Sequence, residues 1–395
     1  MKRTVFLLTF VLGLSALALS ARAIYLEEPS VPVEPRRPVP IGPPPPPRPE
    51  RTNALIEAVR RVTVLPGYTY RGLSVFPLEV THALDSANFD SLDEALDKGT
   101  LRLSEKGSGS VPIVIGRNVG KTPVLLLAGE ILVGGKQDRI LSEDVLLPAQ
   151  SGRVELPVLC VEHGRWSARD ASERDDEGTS FRSRSSVAAL GVRAAAQTGA
   201  SQEDVWGGVK YYQRQLDVIS EDSDLQTVQD APEAREALSD YRNAFRERWG
   251  PQTIGIVVAR YGRVIGADIF CNSRVFRDHR DRLLDSYALD CYTLRRDHDR
   301  PGRERPPQAD VRDAERFLRQ VLYADYDREP SPGDGYLLRV RGEGLRGAAL
   351  VQNDAVLHAA LYVREPIIIE PMPPIRPMPY EGPMPPDRQG PRPDR

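Results

Sequence analysis

Residues 124–166 read VLLLAGEILVGGKQDRILSEDVLLPAQSGRVELPVLCVEHGRW, apolar runs that carry polar residues at a few fixed points. Three groups within it have side chains that could do chemistry. The first is Glu130. In an alternating strand over 124–133 it shares a side with Leu126, Ala128 and Leu132. A carboxylate on such a face is desolvated and must find a cation or take up a proton. Two readings follow: a structural ion pair with Arg139 or Arg165, and a catalytic role as general acid/base or a ligand-gripping carboxylate.

The second group is Gly134-Gly135-Lys136-Gln137-Asp138-Arg139, which invites comparison with a phosphate loop. Gly129 stands one residue too far from Gly135-Lys136, Gln137 occupies the place of the magnesium-binding Ser or Thr, and a strand pattern follows instead of a helix. Nucleoside triphosphate hydrolysis is therefore excluded. What is left is a tight turn that either presents Lys136, Gln137, Asp138 and Arg139 to an anionic or sugar-like ligand or is a solvated hairpin. The third group is Cys160, Glu162 and His163 at the end of a strand, followed by Arg165 and Trp166. Its types suit a thiol nucleophile or a metal site, but Cys-x-Glu-His is not a zinc spacing and the five histidines form no second ligand cluster. No metal and no cofactor is expected. Glu162, Arg165 and Trp166 remain ligand-binding candidates, although an Arg-Trp pair at a strand end more often closes a core edge by stacking than binds substrate. Asp268, another lone acid on an apolar strand face, calls for a cationic partner or a role.

The elements that would position these groups form an α+β pattern. A strand at 72–80 and a short helix at 92–96, opened by the capping pair Ser91 and Glu94, lead into strands at 101–104, 111–117, 123–133, 140–147 and 154–162. Dense turns between them predict an antiparallel β meander, sandwich-like or barrel-like. Residues 167–186 read as a polar loop. Helical patterns follow at 187–197, 202–216 and 232–249, then a hairpin turning at Tyr261-Gly262, a helix through Phe276 and Cys291, a helix at 310–323, and a closing meander at 335–341, 346–352 and 355–363.

The runs LLLAGEILVGGKQDRIL and LPVLCVEHGRW resemble a bacterial family of uncharacterised domains named for association with ADP-ribosylglycohydrolases (ARG) and rhodanese-phosphatase superfamily proteins. Weaker likeness extends through GLSVFPL, SLDEALDKG, SQEDVW and 254–292, covering roughly 68–292 and onward to about 363. The motif positions are Gly129, Glu130, Gly134, Gly135, Lys136, Gln137, Asp138, Arg139, Cys160, Glu162, Arg165 and Trp166. The resemblance implies domain company with ADP-ribose and phosphate chemistry and brings no activity to carry over.

Composition sets the outer bounds. The 395 residues are 40% hydrophobic with a net charge of −3, enough for a packed core and too little positive charge for nucleic acid as main partner. Lys2 and Arg3 before an apolar run over 5–20 and Ala21-Arg22-Ala23 predict a signal peptide over 1–23 and export to the periplasm or beyond. No later run is long enough to span a membrane. The 35 prolines crowd the ends, predicting a Pro-rich linker over 24–63 and a Pro-rich disordered tail over 365–395. Between them lie a β-rich unit (64–166), the loop, and an α+β unit (187–364) packed on the first. Three cysteines allow at most one disulfide. The functional expectation is an exported domain binding a small anionic ligand or an envelope protein partner. The alternatives are a hydrolase or transferase on a phosphate- or ribose-bearing small molecule with Glu130 as acid/base, and an envelope spacer.

Overall fold

Asn53, whose side chain accepts the Ile56 amide, caps and starts α1 (Ala54–Arg61). The structure, a computed structural model, describes residues 52–106, 112–162, 181–218, 224–295 and 307–364, with the backbone of 174–175 and 178–179. After α1 come β1 (Thr63–Val64), β2 (Tyr68–Tyr70), β3 (Leu73–Glu79) and β4 (Asp90–Ser91). Helix α2 (Leu92–Asp97) opens on the expected Ser91–Glu94 capping box, with both reciprocal bonds made. Then follow β5 (Leu101–Glu105), β6 (Ile113–Asn118), β7 (Val124–Leu126), β8 (Glu130–Gly134), β9 (Arg139–Leu141), β10 (Val145–Leu147), β11 (Val154–Cys160) and β12 (Phe181–Val187). The helical section is α3 (Leu190–Gln197), α4 (Gln202–Gln215), α5 (Leu225–Asp230) and α6 (Pro232–Phe245). The chain closes with β13 (Thr253–Arg260), β14 (Arg263–Phe270), α7 (Ser273–Thr293), α8 (Val311–Arg319), β15 (Asp325–Pro330), β16 (Tyr336–Arg341), β17 (Leu345–Gln352) and β18 (Ala355–Val363).

Nine strands form the main sheet, in the order β1-β3-β13-β14-β18-β17-β16-β15 with β2 added on β3. The sequence of β13, TIGIVVAR, is apolar at almost every position because both sheet faces are covered. Ile256 and Val258 join the core beneath α3, α4, α6 and α7, while Val257 and Ala259 join the one beneath α1 and α8. A second, six-stranded sheet runs β12-β8-β9-β11-β6-β5, and with the small β10-β7-β4 sheet it encloses a third core around Leu126, Leu132, Leu147 and Leu156. All pairings are antiparallel except the two-residue β4–β7 contact. The fold is α+β, as expected. No helix among the described residues is long and apolar enough to cross a membrane.

Three elements depart from expectation for local reasons. The run 123–133 is not one strand: Gly129, at φ +88°, breaks it into β7 and β8, so Leu126 and Glu130 are not in one alternating register. The run 140–147 is likewise divided into β9 and β10 at Ser142-Glu143-Asp144. Residues 181–186, read as the end of a polar loop, and Val187, read as the start of a helix, form β12, which pairs with β8 and buries only its end residues Phe181 and Val187. All three cysteines are free and buried, and burial pushes the thiols of Cys271 and Cys291 up to about 12.

Candidate functional site

The Leu-Ala-Gly-Glu turn between β7 and β8 is where two buried charge networks meet. The Leu127 amide donates to Glu130 Oε2 at 2.9 Å, and the Ala128 amide donates to Asp144 Oδ1 at 2.8 Å. Each carboxylate thereby closes an amide that the broken strand leaves without a ladder partner. Gly129 is needed twice, for its positive φ and because a Cβ there would lie 2.5 Å from Arg193 Cγ.

The first network belongs to Glu130, which is fully buried. Its partner is Arg282 of α7, donating to Oε1 at 3.0 Å and to Asp93 Oδ2 at 3.1 Å. The ion pair expected with Arg139 or Arg165 is thus made with a residue from a distant helix. Arg139 points elsewhere, and Arg165 lies outside the described residues, as do His163 and Trp166. Burial pushes the Glu130 carboxyl up to about 7 against the pull of Arg282 and the Leu127 amide.

The second network centres on Asp268, whose cationic partner is Arg193 of α3. Arg193 grips both carboxylate oxygens, at 3.0 and 3.1 Å, and Tyr287 adds a hydroxyl at 2.7 Å. His358 of β18 bridges two acids, Asp144 Oδ2 at 2.7 Å through Nδ1 and Asp268 Oδ1 at 3.2 Å through Nε2. Asp144, Arg193, Asp268 and His358 are each no more than 1% exposed. Burial alone would raise Asp268, but Arg193 and His358 outweigh it and hold the carboxyl well below the usual range. Burial alone would lower His358, but Asp144 and Asp268 outweigh it and raise the imidazole from 6.5 to about 9.

This last shift has a measurable consequence. The folded state holds the His358 proton more tightly than the unfolded chain, so the stabilisation is complete below pH 6.5 and is lost as pH rises through 9. Urea unfolding across that window is expected to show a falling free energy in the wild type. A His358→Gln variant should be less stable and should fall less steeply, since Glu130 and the buried thiols still titrate there. A wild-type curve no steeper than the variant's would show that the imidazole is neutral in the fold.

The Gly-Gly-Lys-Gln-Asp-Arg turn is sequestered, with Gln137, Asp138 and Arg139 no more than 5% exposed. Gln137 Nε2 donates to the Glu162 carbonyl at 3.0 Å, the Asp138 amide donates to Glu162 Oε2 at 3.1 Å, and Arg139 donates to the Gln137 carbonyl at 2.9 Å. Asp138 accepts the Gly134 amide at 3.1 Å and the side-chain amide of Gln226. Lys136, half-buried, donates its amide to Glu105 at 2.7 Å. The structure therefore brings Gln137, Asp138, Arg139 and Glu162 together, but as supports for the backbone of one another, and it holds Glu130 apart with Arg282. Burial pushes the Cys160 thiol up to about 11, which leaves it a poor nucleophile at neutral pH. Among the described residues, no group of three or more His, Cys, Asp or Glu is placed to hold a metal.

Sequence reasoning found Glu130 and Asp268 and missed Asp93, Asp144, Arg193, Arg282 and His358. Two of the missed residues carry the same signal in weaker form: Arg193 is the one charge in LGVRAAAQ and His358 the one ring nitrogen pair in AVLHAALYV.

No curated protein and no solved structure matches the chain. Residues 61–362, which contain both networks and every motif position named above, match the ARG and Rhodanese-Phosphatase-superfamily-associated Protein domain, and the chain belongs to that family.

Proposed function

We propose that this is an exported, non-catalytic domain that binds a ligand or partner, and that its family motif holds the binding surface in shape. The observation that carries the reading is the commitment of the motif acids to internal partners: Glu130, Asp138 and Glu162 are no more than 1% exposed, and each carboxylate closes a backbone amide. A general acid must reach substrate within hydrogen-bond distance, and none of these does in this conformation. Export rests on the basic start, apolar run and Ala21-Arg22-Ala23 of the sequence.

One observation favours the alternative, a hydrolase or transferase on a phosphate- or ribose-bearing molecule. The Glu130 carboxyl stands at about 7, the range of a general acid/base, and a turn that opened would bring Lys136, Gln137 and Arg139 with it. Glu130→Gln separates the two. Its amide opposes an Arg282 N–H with a second donor or leaves the Leu127 amide unsatisfied, so a loss of about 1–3 kcal/mol is expected. A thermal-shift screen of the protein against metals, nucleotides, ADP-ribose, sugars and organic phosphates should give hits that survive in this variant. A hit abolished while the variant stays as stable as wild type would favour the enzyme. A screen with no hit at all would remove the binding reading.

A further inference from the structure

The face of the main sheet that buries Asp268 and His358 ends in an open cleft of about 400 Å³, a size that suits a small molecule. Four arginines line it. Arg339 and Arg341 are two apart on β16 and share a face, Arg346 is the cross-strand partner of Arg341, and Arg364 lies two residues beyond Tyr362, the partner of Arg346 on β18. Glu329 is the one acid in the lining.

Two of the arginines are already engaged. Arg339 pairs with Glu143 and with Glu329, the latter at 2.8 Å, and donates to the Gln197 carbonyl at 3.0 Å, covering the C-terminal end of α3. Arg341 pairs with Asp327 on the neighbouring strand β15, in a contact that solvent screens. Arg346 and Arg364 make no ion pair and no side-chain hydrogen bond with another described residue. Arg346 sits directly opposite Arg341, and like charges at facing positions of an antiparallel pair are destabilising. A fold that needed only a soluble edge would not place guanidinium against guanidinium inside a concavity.

We infer that this cleft is the ligand site of the domain and that it takes a small molecule bearing phosphate or carboxylate groups, gripped by Arg346 and Arg364 with Arg341 completing the cluster. Guanidinium forks match such oxyanions two bonds at a time, and a bound anion relieves the repulsion between Arg341 and Arg346. The inference rests on the binding reading and names its ligand class. The link to the motif is physical: Glu143, which holds Arg339 in the cleft, is the neighbour of Asp144 in the buried network, so the scaffold fixes one wall of the site.

Calorimetric titration of the full chain at low ionic strength with inorganic pyrophosphate, and separately with citrate, tests this. One saturable site is expected, weakened about tenfold or more in the Arg346→Gln/Arg364→Gln double variant and unchanged in Arg312→Gln, an exposed arginine on α8. The tighter of the two probes tells phosphate from carboxylate. Arg346→Gln alone should raise the ligand-free melting temperature at low salt, because it removes a like-charge pair; a purely structural arginine would lower it. Equal affinity in the double variant, or no saturable binding of either probe, overturns the cleft assignment. Hits in the broader screen would then still uphold a binding domain with its site elsewhere.

Discussion

Replacing Asp268 with alanine is expected to lower the unfolding free energy by about 3–5 kcal/mol, the cost of stripping one partner from a buried ion pair. The loss is large because of what stays behind. Arg193 and His358, each 1% exposed, would be left with Asp144 as the remaining acid of the network. The Tyr287 hydroxyl would lose its acceptor as well. Arg282→Ala removes a partner from Glu130 but should be milder, since the Glu130 carboxyl already stands at about 7 and can take up a proton. Denaturant titration of both variants checks the ranking through the midpoint at constant slope. An Asp268→Ala loss under about 1 kcal/mol, or a reversed order, would mean the network is solvated.

Gly129→Ala is expected to cost about 3 kcal/mol or more, although it adds a single methyl group. At φ +88° an alanine bears about 1–2 kcal/mol of backbone strain. Its Cβ also meets Arg193 Cγ at 2.5 Å, and Arg193 cannot step aside because both its terminal nitrogens hold Asp268. Overpacking of this kind costs about 1–3 kcal/mol. Gly199→Ala is the control, with φ +81° and no atom within 4 Å of its Cβ. It carries the backbone strain alone, and the difference between the two variants measures the clash. Equal losses would show that Arg193 is free to move.

Much of the fold was legible because local signals agreed with it. The Ser91–Glu94 capping box opens α2 where expected, α4 begins at the expected residue 202 behind a Ser201–Asp204 box, and the hairpin turns at Tyr261-Gly262, both at positive φ. The departures are places where a long-range contact overrides the local pattern. Val124 to Val133 alternates well enough for one strand, yet two carboxylates and a glycine break it in the middle. Phe181 to Val187 is too polar to be called a strand, yet β8 supplies its ladder. The candidate site was half legible. A lone acid on an apolar run announces that a partner exists, as Glu130 and Asp268 did. The partner's address is a tertiary fact: Arg282 and Arg193 lie 152 and 75 residues away along the chain. The arginines of the cleft gave no signal at all, because charge on alternate strand positions is what any solvated sheet edge shows.

The central claim is that the Leu-Ala-Gly-Glu turn belongs to the core and does not open to a ligand. Native-state hydrogen exchange of the Leu127 and Ala128 amides tests it most directly, since both are buried and both donate to carboxylates of the two networks. Exchange with a free energy equal to that of global unfolding is the predicted result. Exchange at the far lower free energy of a mobile loop would contradict the account. The turn would then open in the native state, and Glu130 would be within reach of a substrate.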